Sequence, residues 1–208
     1  MLLVKFIPTG SAHHEMAGGD QPGKSLALPL TALFAMLIWC CGLGAMWAFI
    51  ERIGVEGGLE SVLALRALGL SSALAISGAL AASALAAKGV NRFMPVTIAL
   101  LGQIAMAWLL QGEMNWVEMA IKASIFQIFW NLTGPFLMGA IASSDTSGKV
   151  SVLIPAAQTA GFSIGPMIAV AFMTEGSFVA ANLTTIICCL IALVLFIPLN
   201  ARLTSGGH

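Results

Sequence analysis

Residues 26–50 read LALPLTALFAMLIWCCGLGAMWAFI, twenty-five positions without one charged side chain. A helix that crosses the hydrocarbon core of a bilayer needs about 20 apolar residues. In water this stretch would have to be buried on every side, whereas lipid accepts it as it stands. The run is closed by Glu51 and Arg52, the first charges after Lys24.

Five further stretches of the same kind follow. They cover about 60–87, 94–110, 116–143, 150–173 and 177–199, closed by Lys88, Gln111-Gly112-Glu113, the Asp145–Lys149 turn, Glu175 and Arg202. The short segments between them hold most of the glycine, asparagine and charge. The expected fold is therefore an all-α integral membrane protein, a six-transmembrane-helix bundle over residues 26–208. A membrane barrel would need strands of about ten residues with alternating polarity, and these runs are continuously apolar for much longer. Bulk composition agrees: 59% of the 208 residues are hydrophobic and 9% charged. A soluble domain averages about 45–50% and about 25%. A formal net charge of zero gives no basis for nucleic acid binding.

Charge placement sets the expected orientation. Lys5, Lys24, Lys88, Arg92, Lys149 and Arg202 fall on the side where the first span begins, and Arg52, Arg66 and Lys122 on the other. Glu51, Glu56, Glu60, Glu113, Glu118 and Glu175 also lie on that other side. Lysine and arginine favour the cytoplasmic side, so both ends of the chain are expected in the cytoplasm of a multi-pass protein, in a bacterial plasma (inner) membrane. Met1–Ile7 is too short, and broken by Lys5, to be a signal peptide. It reads as the last turns of an earlier helix, ended by Pro8 and followed by a hydrophilic connector, Thr9–Ser25.

The interior chemistry is sparse. Ser71, Ala75, Ala79, Ser83 and Ala87 recur at every fourth position of the second span, a small-residue face for close helix approach. Gly161 and Gly165 form a second such face, and Pro166 after them frees a backbone carbonyl, so the fifth span is either tightly packed or able to bend. Amides within the spans are Gln103, Gln127, Asn131, Gln158 and Asn182, with Trp130 beside Asn131. Each must face another helix or a wet cavity, because an unpaired amide in hydrocarbon is costly. Gln103 and Asn182 are read as interhelical hydrogen bonds; Gln127, Asn131 and Gln158 are divided between that role and cavity lining. Glu118 and Lys122, four apart, are expected to pair near the outer interface. Arg66 either snorkels outward or presents a cation to an anionic solute. No carboxylate stands at mid-span. The adjacent pairs Cys40-Cys41 and Cys188-Cys189 point about 100° apart within each pair, which excludes a disulfide inside a pair. They have no metal-ligand spacing, and no metal or cofactor is expected. Asn131-Leu-Thr133 and Asn182-Leu-Thr184 match the glycosylation sequon but lie in the membrane. The histidines, His13, His14 and His208, fall in the connector and the tail, so no enzymatic constellation is visible.

Six spans with both ends inside, preceded by a connector and the end of another helix, resemble the second half of a major facilitator superfamily transporter. Three local patterns carry the resemblance. Gly78 through Lys88-Gly89-Val90-Asn91-Arg92 is similar to the family's basic loop, with Ala87 where an acidic residue usually stands. Asp145-Thr146-Ser147-Gly148-Lys149 resembles its Asp-x-x-Gly-Arg turn, and Gly161-x-x-x-Gly165-Pro166 resembles the Gly-Pro element of its eleventh helix. On that resemblance residues 1–25 match the end of the sixth helix and the central loop, and the six spans match helices seven to twelve. It implies a solute site between two six-helix halves, lined here by Trp39, Arg66, Gln127, Trp130, Asn131 and Gln158, with Gln103 and Asn182 on outer helices. The implied partners are the lipid bilayer, a small-molecule substrate and an N-terminal six-helix half, missing or separately encoded; a homodimer is the least favoured arrangement. Drug or metabolite efflux fits an amide and aromatic lining, and Arg66 would favour an organic anion. The rival reading is a non-transporting accessory subunit. The transporter reading expects Gln127, Asn131 and Gln158 on one open face; the rival does not.

Overall fold

The structure is a computed structural model that describes residues 26–205, with side chains through Ile197. The expected helix end Met1–Pro8, the connector Thr9–Ser25 with its two histidines, His208 and the Arg202 side chain lie outside the described residues. The six apolar runs form six helices: α1 (Ala27–Glu56), α2 (Ser61–Ala87), α3 (Phe93–Leu109), α4 (Trp116–Ser144), α5 (Ile154–Ala171) and α6 (Val179–Ser205). No strand is present among the described residues. Five helices are long and apolar enough to cross a membrane. The shorter α3 has 17 residues, which at 1.5 Å per residue spans about 26 Å, near the thickness of the hydrocarbon core. A bundle of this composition is compatible with a multi-pass membrane protein.

Local chemistry explains the boundaries. α4 opens on a capping box, in which Asn115 Oδ1 accepts from the Glu118 N–H at 3.0 Å and Glu118 Oε2 accepts from the Asn115 N–H at 2.9 Å. These two bonds satisfy donors that the first turn leaves orphaned. Each of the five connections turns on one glycine with positive φ: Gly58, Gly89, Gly112, Gly148 and Gly176. α1 does not stop at Glu51-Arg52 but runs on to Glu56. Charge at an interface does not break a helix; the backbone reversal at Gly57-Gly58 does. At the start of α5, a 3-10 turn over Ser151–Leu153 precedes the α-helix.

α1 packs mainly on α5 and α6, while α4 packs mainly on α2 and α3; α1 also meets α4, and α3 meets α6. Exchanging helices 1–3 with helices 4–6 maps this main pattern onto itself. Consecutive helices run in opposite directions, so the exchange also turns an odd helix into an even one. The main contact pattern therefore repeats between helices 1–3 and helices 4–6 with helix direction reversed.

The closest approaches depend on missing side chains. A Cβ on Gly161 would come within 2.6 Å of both the Leu37 carbonyl and the Cys40 Cβ on α1, and one on Gly165 would collide with the Cys41 carbonyl. One on Gly78 would collide with the Ile128 carbonyl of α4. With no hydrophobic drive between helices in lipid, this backbone-to-backbone contact supplies dispersion energy instead. The small-residue stripe of α2 differs from its expected line. Ser71 and Ala75 are buried, but Ala79, Ser83 and Ala87 are exposed. The buried face runs through Ala64, Ala67, Ser71, Ala75, Gly78 and Ala82. A strict four-residue repeat drifts about 40° per step around a 3.6-residue helix, and only a mixture of steps of three and four holds one face toward a neighbour.

Candidate functional site

Trp130 stands at the midpoint of α4, with Asn131 beside it. Its ring meets Trp47 of α1 edge-on, with centroids 5.8 Å apart, and lies 5.7 Å from Phe162 of α5. Such spacings are favourable for aromatic pairs. Phe162 is in the central turn of α5, and Trp47 is 43% exposed. Trp130, Asn131, Phe162 and Gln158 are half-buried. Gln158 lies one turn before Phe162 on the same face of α5 and makes no hydrogen bond among the described residues. Asn131 Nδ2 donates to the Gln127 carbonyl at 3.0 Å. Three helices thus bring an aromatic and amide surface together, at mid-length of α4 and α5 and about two-thirds of the way along α1, open on one side of the bundle.

Two prolines border this surface. Pro135 follows Asn131 by four residues, and Pro166 follows Phe162 by four. Each removes the N–H that the earlier carbonyl would accept. The freed Phe162 carbonyl lies against α1, where a Cβ on Gly44 would sit 2.7 Å away. Both helices stay continuous through their prolines.

Trp39 and Gln127 stand apart from the open surface. Trp39 is 1% exposed, and its indole N–H donates to Gln103 Oε1 at 3.0 Å. Gln103 Nε2 in turn donates to Thr133 Oγ1 at 3.2 Å, and the Cys189 thiol lies 3.9 Å from Gln103 Oε1. This polar node joins α1, α3, α4 and α6 inside the bundle. Gln127 is 4% exposed and donates to Ser71 Oγ at 2.5 Å in the α2–α4 interface. The three amides expected on one open face are therefore divided: Asn131 and Gln158 are half-buried, and Gln127 is closed inside. The interhelical roles expected for Gln103 and Asn182 are what the structure has. Asn182 Nδ2 donates to the Ala107 and Leu110 carbonyls at 2.8 and 2.7 Å, capping the C-terminus of α3.

Arg66 is exposed on the second turn of α2 and has no hydrogen bond or ion pair among the described residues. Lys122 also has no ion pair there, because the Glu118 side chain is taken by the capping box of α4. The expected Glu118–Lys122 pair is absent for that reason: the Asn115 backbone N–H holds the Glu118 carboxylate at the N-terminus of α4, one turn from Lys122.

At the opposite end, Arg92 clamps the foot of α4, with Nη1 donating to the Gly139 carbonyl at 3.0 Å and to Ser143 Oγ at 2.6 Å. Asp145 organises the α4–α5 connection. Its Oδ2 accepts from the N–H of Val150 at 2.9 Å and of Ser151 at 2.7 Å, and from Ser151 Oγ at 2.9 Å. Its Oδ1 accepts from Ser147 Oγ at 2.9 Å. Desolvation works to raise the Asp145 carboxyl, but donation from the Ser151 backbone, the Ser147 and Ser151 hydroxyls and the Val150 backbone outweighs it and holds the pKa at about 2. Lys88 and Lys149 are exposed without a side-chain partner. The basic and acidic residues of the two loop patterns therefore do not pair with one another: Arg92 braces the end of α4, Asp145 braces the α4–α5 connection, and the two lysines are free of both.

Trp47, Phe162, Ser71 and Thr133 were not legible as site or network residues in the sequence. Aromatics inside apolar runs carry no local mark, and a helical hydroxyl reads first as a bond to its own backbone. No group of three or more potential metal ligands occurs among the described residues. No family model matches the chain, and neither a curated protein nor a solved structure is significantly similar to it.

Proposed function

We propose that this chain is the C-terminal six-helix half of a secondary transporter of the major facilitator type, moving a small organic solute by alternating access. The observation that carries this reading is the open surface of Trp130 and Phe162 at the mid-length of α4 and α5, met by Trp47 of α1 and flanked by Asn131 and Gln158. Polar groups at membrane depth are tolerated where they border a wet cavity, and solute sites of such transporters lie at that depth. The contact pattern that repeats between helices 1–3 and helices 4–6 supports the same reading, since inverted repeats are the building plan of many secondary transporters. A second six-helix bundle, the N-terminal half, completes the cavity. On this reading both termini lie in the cytoplasm and the membrane is a bacterial inner membrane.

Aromatic and amide lining without a mid-depth carboxylate suits a neutral or weakly polar drug-like or metabolite solute. The exposed, unpartnered Arg66 supports a second reading, in which the solute is an organic anion.

All four native cysteines are buried, so the wild-type background is quiet toward aqueous thiol reagents. Single Gln158→Cys, Asn131→Cys and Trp130→Cys variants in native membranes are expected to react with a membrane-impermeant maleimide, and an Ile187→Cys control is not. Labelling of all four only by a lipid-soluble maleimide would sink the transporter reading and favour an accessory subunit.

A further inference from the structure

At the outer end of the bundle, a small pocket of about 20 Å³, partly open at exposed Glu56, lies where α1, the α3–α4 connection and α6 meet, lined in part by Glu56, Leu110, Gln111, Phe178 and Asn182. Two of its residues carry buried polar atoms without a partner: Gln111 Nε2 and Asn182 Oδ1. Asn182 is 1% exposed. Its amide orientation is fixed, because Nδ2 donates to the Ala107 and Leu110 carbonyls; reversal would set an oxygen against two oxygens. Glu56 Oε2 accepts the Phe178 N–H at 2.9 Å, which leaves Oε1 without a hydrogen bond among the described residues.

We infer that this cavity is a binding site for one ordered water molecule. The volume exceeds the roughly 10–15 Å³ that one water requires, and a buried water typically makes about three hydrogen bonds. One unpartnered donor and two unpartnered acceptors are the complement of a water. It accepts from Gln111 Nε2 and donates to Asn182 Oδ1 and Glu56 Oε1. A monovalent cation would need oxygens on every side, which requires Gln111 to reverse its amide. The water ties the C-terminal end of α1 to the start of α6 and to the connection after α3. The direct bonds there, Phe178 N–H to Glu56 and Met114 N–H to the Gly57 carbonyl, leave that corner otherwise unlinked to Gln111.

The test uses the full chain in lipid nanodiscs with labelled asparagine and glutamine side chains. The side-chain amides of Gln111 and Asn182 are expected to show magnetization transfer with a long-lived water. Glu56→Gln, which keeps a carbonyl acceptor, is expected to retain it. Gln111→Met is expected to lose it and to lower the melting midpoint by about 2–4 °C. Absence of a long-lived water at both amides in the wild type overturns the inference. So does a saturable rise in midpoint with sodium, but not potassium, that Glu56→Gln abolishes, since this identifies a cation.

Discussion

The indole N–H of Trp39 on α1 points at the side-chain carbonyl of Gln103 on α3, 3.0 Å away and 1% or less exposed at both ends. Gln103 spends its other end on Thr133 of α4, so one amide links three helices. Interhelical hydrogen bonds in membranes average about 0.6 kcal/mol and reach about 1.7 kcal/mol. Trp39→Phe is expected to cost within that range, and Gln103→Leu about 1–2 kcal/mol, because it strands both a donor and an acceptor. Unfolding of the single and double variants in mixed micelles checks this. Additive costs would show that the two side chains are not coupled.

Gly165 and Gly69 give a matched contrast. A Cβ on Gly165 runs into the Cys41 carbonyl, whereas one on Gly69 meets nothing within 4 Å. Gly165→Ala is expected to destabilise by about 1–3 kcal/mol, since two backbones must move apart. Gly69→Ala is expected to be neutral or stabilising by up to about 1 kcal/mol. Thermal unfolding in one detergent ranks the two, and equal effects would contradict the packing described.

Asp145 predicts a defined acid limb. Its folded pKa of about 2 lies below the ordinary 3.8. The group therefore contributes stability that is fully present above 3.8 and is lost as pH falls through about 2. Asp145→Asn cannot titrate, so the difference in melting midpoint between wild type and variant is expected to be constant above pH 3.8 and to shrink below it. A constant difference across that window would show that the carboxylate is not held by Val150 and Ser151.

Gln127 and Gln158 separate framework from surface. Gln127→Leu removes the donor to Ser71 Oγ in the α2–α4 interface, leaving that hydroxyl only its bond to the Leu68 carbonyl, and is expected to cost about 0.6–1.7 kcal/mol. Gln158→Leu breaks no bond and is expected to change stability by less than about 0.5 kcal/mol. In the proposed transporter, Gln158→Leu lowers solute transport at unchanged protein level. Loss of fold in Gln158→Leu would remove it from the open surface.

Composition and run length determined the all-helical architecture, the number of helices and most of their ends, because a bilayer-sized apolar run with short polar joints admits one solution. Gln103 and Asn182 were legible for the same reason: a buried amide must find a partner, whichever helix supplies it. The identity of the partners was not legible. Trp39 and Trp130 sit in equally apolar runs, yet one is sealed in the core beside Gln103 and the other opens on the surface with Phe162. Gln127 and Asn131 share a helix face at i, i+4, yet only Gln127 is closed off, by Ser71. In lipid every outward face of a helix is apolar, so the hydrophobic pattern that tells inside from outside in a soluble protein is missing. Helix rotation was decided by tertiary contact alone: where Gly161, Gly165 and Gly78 let backbones touch, and where a few polar groups found one another.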